Sequence, residues 1–120
     1  MSLPAYLEKY LPALNEELRQ AVDQFLPGPP ELDLMLRYHL GWVTEQGAAT
    51  GTSSGKKIRP VLALLCTEIA GGDWTQALPA AAAIELIHNF SLIHDDIEDN
   101  SPLRRGRLTL WKVWGPAQAI

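Results

Sequence analysis

Apolar residues recur at helical spacing along nearly the whole chain. Leu7, Leu11, Leu14, Leu18, Val22 and Phe25 follow at intervals of three and four, which places them on one stripe of a helix. Pro12 interrupts that stripe and predicts a kink or a split, because proline removes a backbone donor and crowds the preceding turn. Pro27-Gly28-Pro29-Pro30 ends the segment. A second helix is predicted from near Pro30, a favoured first-turn residue, carrying Leu32, Met35, Leu36, Leu40 and Val43 to a stop at Gly47. Residues 48–55 are small and polar, the composition of a mobile loop. A compact apolar helix follows over about 60–70, closed by Gly71-Gly72. Thr75 is the expected cap of a long helix from Gln76 to about Asp99, roughly 36 Å at ~1.5 Å per residue. Its alanine-rich first half, Ala80 to Ala83, permits close packing, and Asn100-Ser101-Pro102 breaks it. Residues 108–120 begin another helix. No stretch alternates as a strand and no internal repeat stands out, so the expected fold class is all-α.

Composition narrows the function. A chain of 120 residues is one domain at most, and 47% hydrophobic with 20% charged residues is a globular balance. A formal net charge of −4 argues against nucleic acid or an anionic membrane as partner. One cysteine excludes a disulfide framework and a cysteine-rich zinc site. Cys66, in Val61-Leu62-Ala63-Leu64-Leu65-Cys66, is expected to be a buried thiol in a reducing compartment. No apolar run reaches the ~20 residues of a transmembrane segment, and no secretory signal is visible. The expected location is cytoplasmic.

The strongest chemical feature is His94-Asp95-Asp96-Ile97-Glu98-Asp99. Clustered acids at a helix C-terminus face its partial negative charge, a broken local rule of the kind found at functional sites. Asp95 and Asp99 lie one turn apart, and His88 falls on the same stripe. Paired carboxylates suit a hard divalent cation that bridges to phosphate; the bland reading is a solvated acidic helix end. Arg104-Arg105-Gly106-Arg107 follows closely, either as a structural ion pair or as an anion clamp. Carboxylates and arginines at one place suggest a magnesium-diphosphate ligand bound from both sides. Gly55-Lys56-Lys57-Ile58-Arg59-Pro60 delivers cations to a helix start, which also favours anions; an exposed basic turn is the plain alternative. The stretch Gly51 to Lys57 imitates a Walker loop, but three residues separate its glycines instead of four. Lys57 stands where Ser or Thr should follow, and no strand precedes it.

These segments in this order resemble the trans-isoprenyl diphosphate synthases, or polyprenyl synthetases. The resemblance rests on Gly55-Lys56-Lys57-Ile58-Arg59-Pro60, Glu85-Leu86-Ile87-His88-Asn89-Phe90-Ser91-Leu92-Ile93-His94-Asp95-Asp96, Asp99 and Leu103-Arg104-Arg105-Gly106, and it covers about Leu11 to Ile120. It implies the all-helical isoprenoid synthase fold and head-to-tail condensation of isopentenyl diphosphate with an allylic diphosphate. Lys56, Arg59, His88 and Arg105 would hold the isopentenyl diphosphate. Asp95 and Asp99, with Asp96 close by in the catalytic cluster, would bind Mg2+ and through it the allylic diphosphate, which Arg104 would contact. Phe90, about 7.5 Å along the helix from Asp95, and Ser91 would limit the product to short or medium length. Family chains are more than twice as long, so residues 1–120 read as the N-terminal portion of a single, truncated polyprenyl synthetase domain. The second aspartate-rich motif and the helices that close the cavity are absent. The chain alone is therefore expected to be inactive and to associate with copies of itself, as a homo-oligomer such as a dimer.

Three rivals compete. A class I terpene cyclase shares the acid cluster but has no need of the Gly55–Pro60 segment. A non-catalytic partner subunit would tend to lose the carboxylates or arginines, which are all present. A helical scaffold explains neither.

Overall fold

The structure is a computed structural model and describes residues 2–25, 28–51 and 55–120, the side chain of Phe25 excepted. Three expectations lie outside the described residues: the place of Phe25 on its stripe, the helix end at Pro27, and a mobile loop at Thr52-Ser53-Ser54. Among the described residues six helices run in the order α1 (Leu3–Phe25), α2 (Pro30–His39), α3 (Ile58–Ile69), α4 (Leu78–Glu98), α5 (Leu110–Trp114) and α6 (Pro116–Ala119). A short 3-10 turn, Trp74–Ala77, precedes α4, and two strands of two residues each, β1 (Leu103–Arg104) and β2 (Arg107–Leu108), lie between α4 and α5. The chain divides into two compact units, Met1–Pro27 with Lys56–Ile87, and Gly28–Gly55 with His88–Ile120.

The first unit is an apolar zip. The helical stripe of α1 buries Leu14, Leu18 and Val22, as its spacing predicts, and adds Tyr10. α1 packs on α3, whose buried face is Pro60, Val61 and Leu64. Ala81 and Ala82 are buried on α4, where small side chains allow close approach. Each fully buried aliphatic side chain stabilises by about 1.5–3 kcal/mol relative to exposure, so this zip carries most of the unit's stability. Tyr10 meets Trp74 edge-on at 5.0 Å. Its hydroxyl donates to Glu68, which also receives Lys9; burial and that carboxylate push the Tyr10 pKa up to about 12.

Pro12 sits inside an α1 that runs from Leu3 to Phe25, so of a kink or a split the split does not occur. Two further expectations fail here for local reasons. Cys66 is exposed rather than buried, because it lies on the other face of α3 with Leu62 and Ile69, themselves 50% and 75% exposed. The cap ahead of α4 is Asp73, not Thr75: the Asp73 carboxylate accepts from the Thr75 amide at 3.0 Å and its hydroxyl at 2.6 Å. Those bonds hold its pKa below the usual range. They also make a 3-10 turn, so α4 begins at Leu78.

The second unit packs Met35 and Tyr38 of α2 against Leu110 and Ala119, flanked by Ile93, Ile97 and Trp114. Here α2 stops at His39, well before Gly47, because Gly41 takes a left-handed turn (φ 82°). Val43 therefore leaves the helix and bridges to Ala49. Thr44 N–H donates to Ala48 O and Thr50 N–H to Trp42 O, so residues 48–50 are tied down rather than loose. α4 ends at Glu98, and Asn100 closes it in the left-handed region (φ 54°), with Ser101 N–H donating to Asp96 O and Asn100 N–H to Ile97 O. That pairing satisfies the last carbonyls as a glycine cap would. The hairpin Leu103–Leu108 departs from the expectation of no strands; Leu103 faces Leu108 and Arg104 faces Arg107. In place of one helix starting within residues 108–120 there are two short ones, α5 and α6, because Gly115 (φ 90°) and Pro116 divide them.

Candidate functional site

The end of α4 separates its carboxylates into two kinds. Asp96 is buried, and Arg104 clasps it with two bonds, Nε to Oδ2 at 2.9 Å and Nη2 to Oδ1 at 2.8 Å. The carboxylate holds the Arg104 pKa above its ordinary value. For this arginine the structural ion pair is realised. Asp95 and Asp99 are exposed and one turn apart, joined through Asp99 N–H to Asp95 O at 2.9 Å. Their oxygens are hard donors facing water, which fits a magnesium ion that keeps most of its shell as water and phosphate oxygen. Among the described residues no three His, Cys, Asp or Glu side chains converge on a metal position.

Arg105 occupies the hairpin turn with φ 52°, followed by Gly106 with φ 77°. Positive φ at both central residues is what a tight type I′ turn requires. Gly55 lies against its guanidinium, and a Cβ there would sit 3.1 Å from Nη2. This contact brings the glycine of one sequence motif onto the arginine of another.

Behind the hairpin lies His39, which the sequence reading missed. His39 shares a 3.1 Å hydrogen bond with Asn89, which is buried on α4. Burial, and then the charge of Arg105, push the His39 pKa down to about 4, so it stays neutral at pH 7. Arg107 donates to Tyr38 O at 3.0 Å and Val43 O at 2.6 Å. His39, Asp96, Arg104, Arg105 and Arg107 line a cavity of about 30 Å³, room for a water or two but not for a diphosphate. The available signal was the run of polar side chains Glu85, His88 and Asn89 inside an otherwise apolar helix.

His88 is half-buried in the second unit, and Ser91 Oγ turns back to donate to its carbonyl at 2.6 Å. Phe90 is 58% exposed and meets His94 edge-on at 4.5 Å. Lys56 and Arg59 are exposed in the first unit, at the start of α3, while Lys57 between them is buried in a left-handed conformation (φ 54°).

The profile of the polyprenyl synthetase family matches residues 41–120. The chain belongs to the polyprenyl synthetase family. A (2E,6E)-farnesyl diphosphate synthase of Mycobacterium tuberculosis is 44% identical over 107 residues, 89% of this chain and 29% of that protein. A short chain isoprenyl diphosphate synthase of Methanothermobacter thermautotrophicus is 42% identical over 120 residues, 33% of its own length. The crystal structure of a polyprenyl synthetase from Streptomyces coelicolor A3(2) superposes with a TM-score of 0.87 at 44% identity, covering 99% of this chain and 34% of that one. The all-α isoprenoid synthase fold is thereby shown, and the chain spans about a third of the length of these synthetases. Among the described residues no helix is long and apolar enough to cross a membrane.

Proposed function

We propose that this polyprenyl synthetase chain is the N-terminal portion of a single synthase domain, and that the whole domain condenses isopentenyl diphosphate head-to-tail with an allylic diphosphate. The observation that carries the reading is the pair of exposed carboxylates, Asp95 and Asp99, beside an arginine turn that the buried Asp96 holds at Arg104. In the reaction the allylic C–O bond breaks and diphosphate leaves. The double bond of isopentenyl diphosphate attacks the cation, a C–C bond forms and a proton is lost. Asp95 and Asp99 would hold magnesium, which when bound neutralises charge growing on the leaving diphosphate. Arg104 offers that group the guanidinium edge carrying Nη1, since Nε and Nη2 are engaged by Asp96. Lys56, Arg59, His88 and Arg105 would bind the second diphosphate. Phe90 and Ser91 would bound the growing chain.

Residues 1–120 alone are expected to be inactive and to self-associate, because Ile84, Ile87 and Phe90 leave α4 apolar toward water. The intact enzyme would work as a cytoplasmic homodimer. The test is a full-length synthase carrying these 120 residues as its corresponding third, assayed with both diphosphates. Condensation that needs magnesium and disappears in Asp95→Ala supports the reading; condensation unaffected by either change sinks it.

A further inference from the structure

The hairpin of β1 and β2, with two residues in each strand, ought not to hold its shape. An isolated two-stranded ribbon is marginal in water even when longer. This one also sets Arg104 directly opposite Arg107, and like charges facing across strands repel. Its turn places Arg105 in a left-handed conformation that side chains other than glycine disfavour. Something outside the hairpin must overcome all three.

The two arginines escape one another by leaving for different elements. Arg104 goes to Asp96 on α4. Arg107 goes to the end of α2 and the segment after it, where its fork reaches Tyr38 O in the last turn and Val43 O beyond it, and its charge lies 4.1 Å from the centre of the Tyr38 ring. The partial negative charge at a helix C-terminus favours a cation there. Tyr38 returns the bond: its hydroxyl donates to Leu108 O at 2.6 Å. β2 is thus fastened to α2 in both directions, by one side chain from each.

We propose that Arg107 is a positioning residue: by gripping one carbonyl in the last turn of α2 and one in the segment that follows it, Arg107 fixes the hairpin turn and thereby aims Arg105 at its diphosphate. The assignment rests on the substrate roles proposed above. Arg107 commits both Nη1 and Nη2 to backbone carbonyls, which turns its fork toward the chain itself. Lysine is no substitute, since a single ammonium cannot span both oxygens as the planar fork does.

Two measurements keep this inference separate from the functional reading. In the 120-residue chain, Arg107→Ala should speed hydrogen exchange of the amides of Leu103–Thr109 by about tenfold or more while the α1 and α3 amides stay unchanged. Unaltered hairpin exchange overturns the grip, whatever the protein catalyses. In a full-length synthase carrying these residues, Arg107→Ala should raise KM for isopentenyl diphosphate roughly tenfold. KM for the allylic substrate and kcat should change less than about threefold, and Arg107→Lys should restore only part of the loss. In an Arg105→Ala background the same change should add less than about twofold, because there is no longer a guanidinium to aim. Equal rises in both KM values, or effects that multiply with Arg105→Ala, overturn the positioning role. Should Arg107→Ala fail to fold, Tyr38→Phe removes only the bond to Leu108 O and must still raise KM for isopentenyl diphosphate, by about two- to fivefold; no rise overturns the proposal.

Discussion

The two compact units of this polyprenyl synthetase chain are built on different physics. The first closes on Tyr10, Leu14, Leu18, Val22, Val61 and Leu64, an apolar seam whose order is that of the helical repeat. The second closes on a smaller apolar cluster and on polar side chains that reach for backbone oxygens: Tyr38 to Leu108, Arg107 to Tyr38 and Val43, Thr109 and Trp111 to Ser101. Non-directional burial tolerates approximate geometry. Hydrogen bonds to fixed carbonyls do not, and they hold a charged turn to within a fraction of an ångström. The proposed metal pair, Asp95 and Asp99, and the arginine turn lie in the unit made the second way.

That contrast predicts different losses. The largest belongs to the second unit's chemistry. In the full-length synthase Asp95→Ala or Asp99→Ala should lower turnover on the order of a hundred- to a thousandfold with little change in the melting temperature, because both carboxylates face water. Steady-state kinetics beside a thermal melt checks it, and a large drop in melting temperature would mean that the acids are structural. Next comes Leu14→Ala in the first unit, which should cost about 3 kcal/mol by removing a fully buried side chain. Urea unfolding measures this, and a loss below about 1 kcal/mol would mean that the seam is not the first unit's main support.

A smaller effect is set by pH. The folded state holds the His39 pKa at about 4 against an ordinary value near 6.5, so the unfolded chain binds the proton more readily. Stability from this group is complete above about pH 6.5 and fades as pH falls toward 4, a loss on the order of 2–3 kcal/mol at most. His39→Gln keeps a side chain able to pair with Asn89 but cannot titrate. The acid limb between pH 4 and 6.5 should therefore flatten in a pH series of melts. An unchanged limb would assign the acid loss to other groups. The smallest effect is that of Gly55→Ala, which presses a methyl on Arg105 and strains a backbone at φ 87°. It should destabilise by about 1 kcal/mol and raise KM for isopentenyl diphosphate severalfold, with the allylic KM nearly fixed.

The same contrast explains what could be read in advance. α1, α3 and α4 are legible because their stabilising residues repeat with the helix, and the carboxylate and arginine motifs are legible because their spacing is local. The elements read wrongly were decided by single polar or glycine contacts. Gly41 rather than Gly47 ends α2, and Asp73 rather than Thr75 caps the turn before α4. Cys66 shares the apolar composition of α3 but not its buried face. Tyr38 and Arg107 lie 69 positions apart, and no periodicity links a side chain to a carbonyl at that distance. The role of Asp96 was half visible: its place in the cluster was plain, its burial under Arg104 was not.

The left-handed backbone at Arg105 sets stability against charge at one position. A glycine there would relax the turn by about 1 kcal/mol and discard the guanidinium, whereas an alanine would discard the guanidinium and keep the strain. Arg105→Gly should thus melt a few degrees above Arg105→Ala while the two bind isopentenyl diphosphate equally poorly. If they melt together, the turn is relaxed as it stands. If they separate, position 105 is one where selection for thermostability would erode the proposed anion grip, because the most stable residue it can hold has no guanidinium.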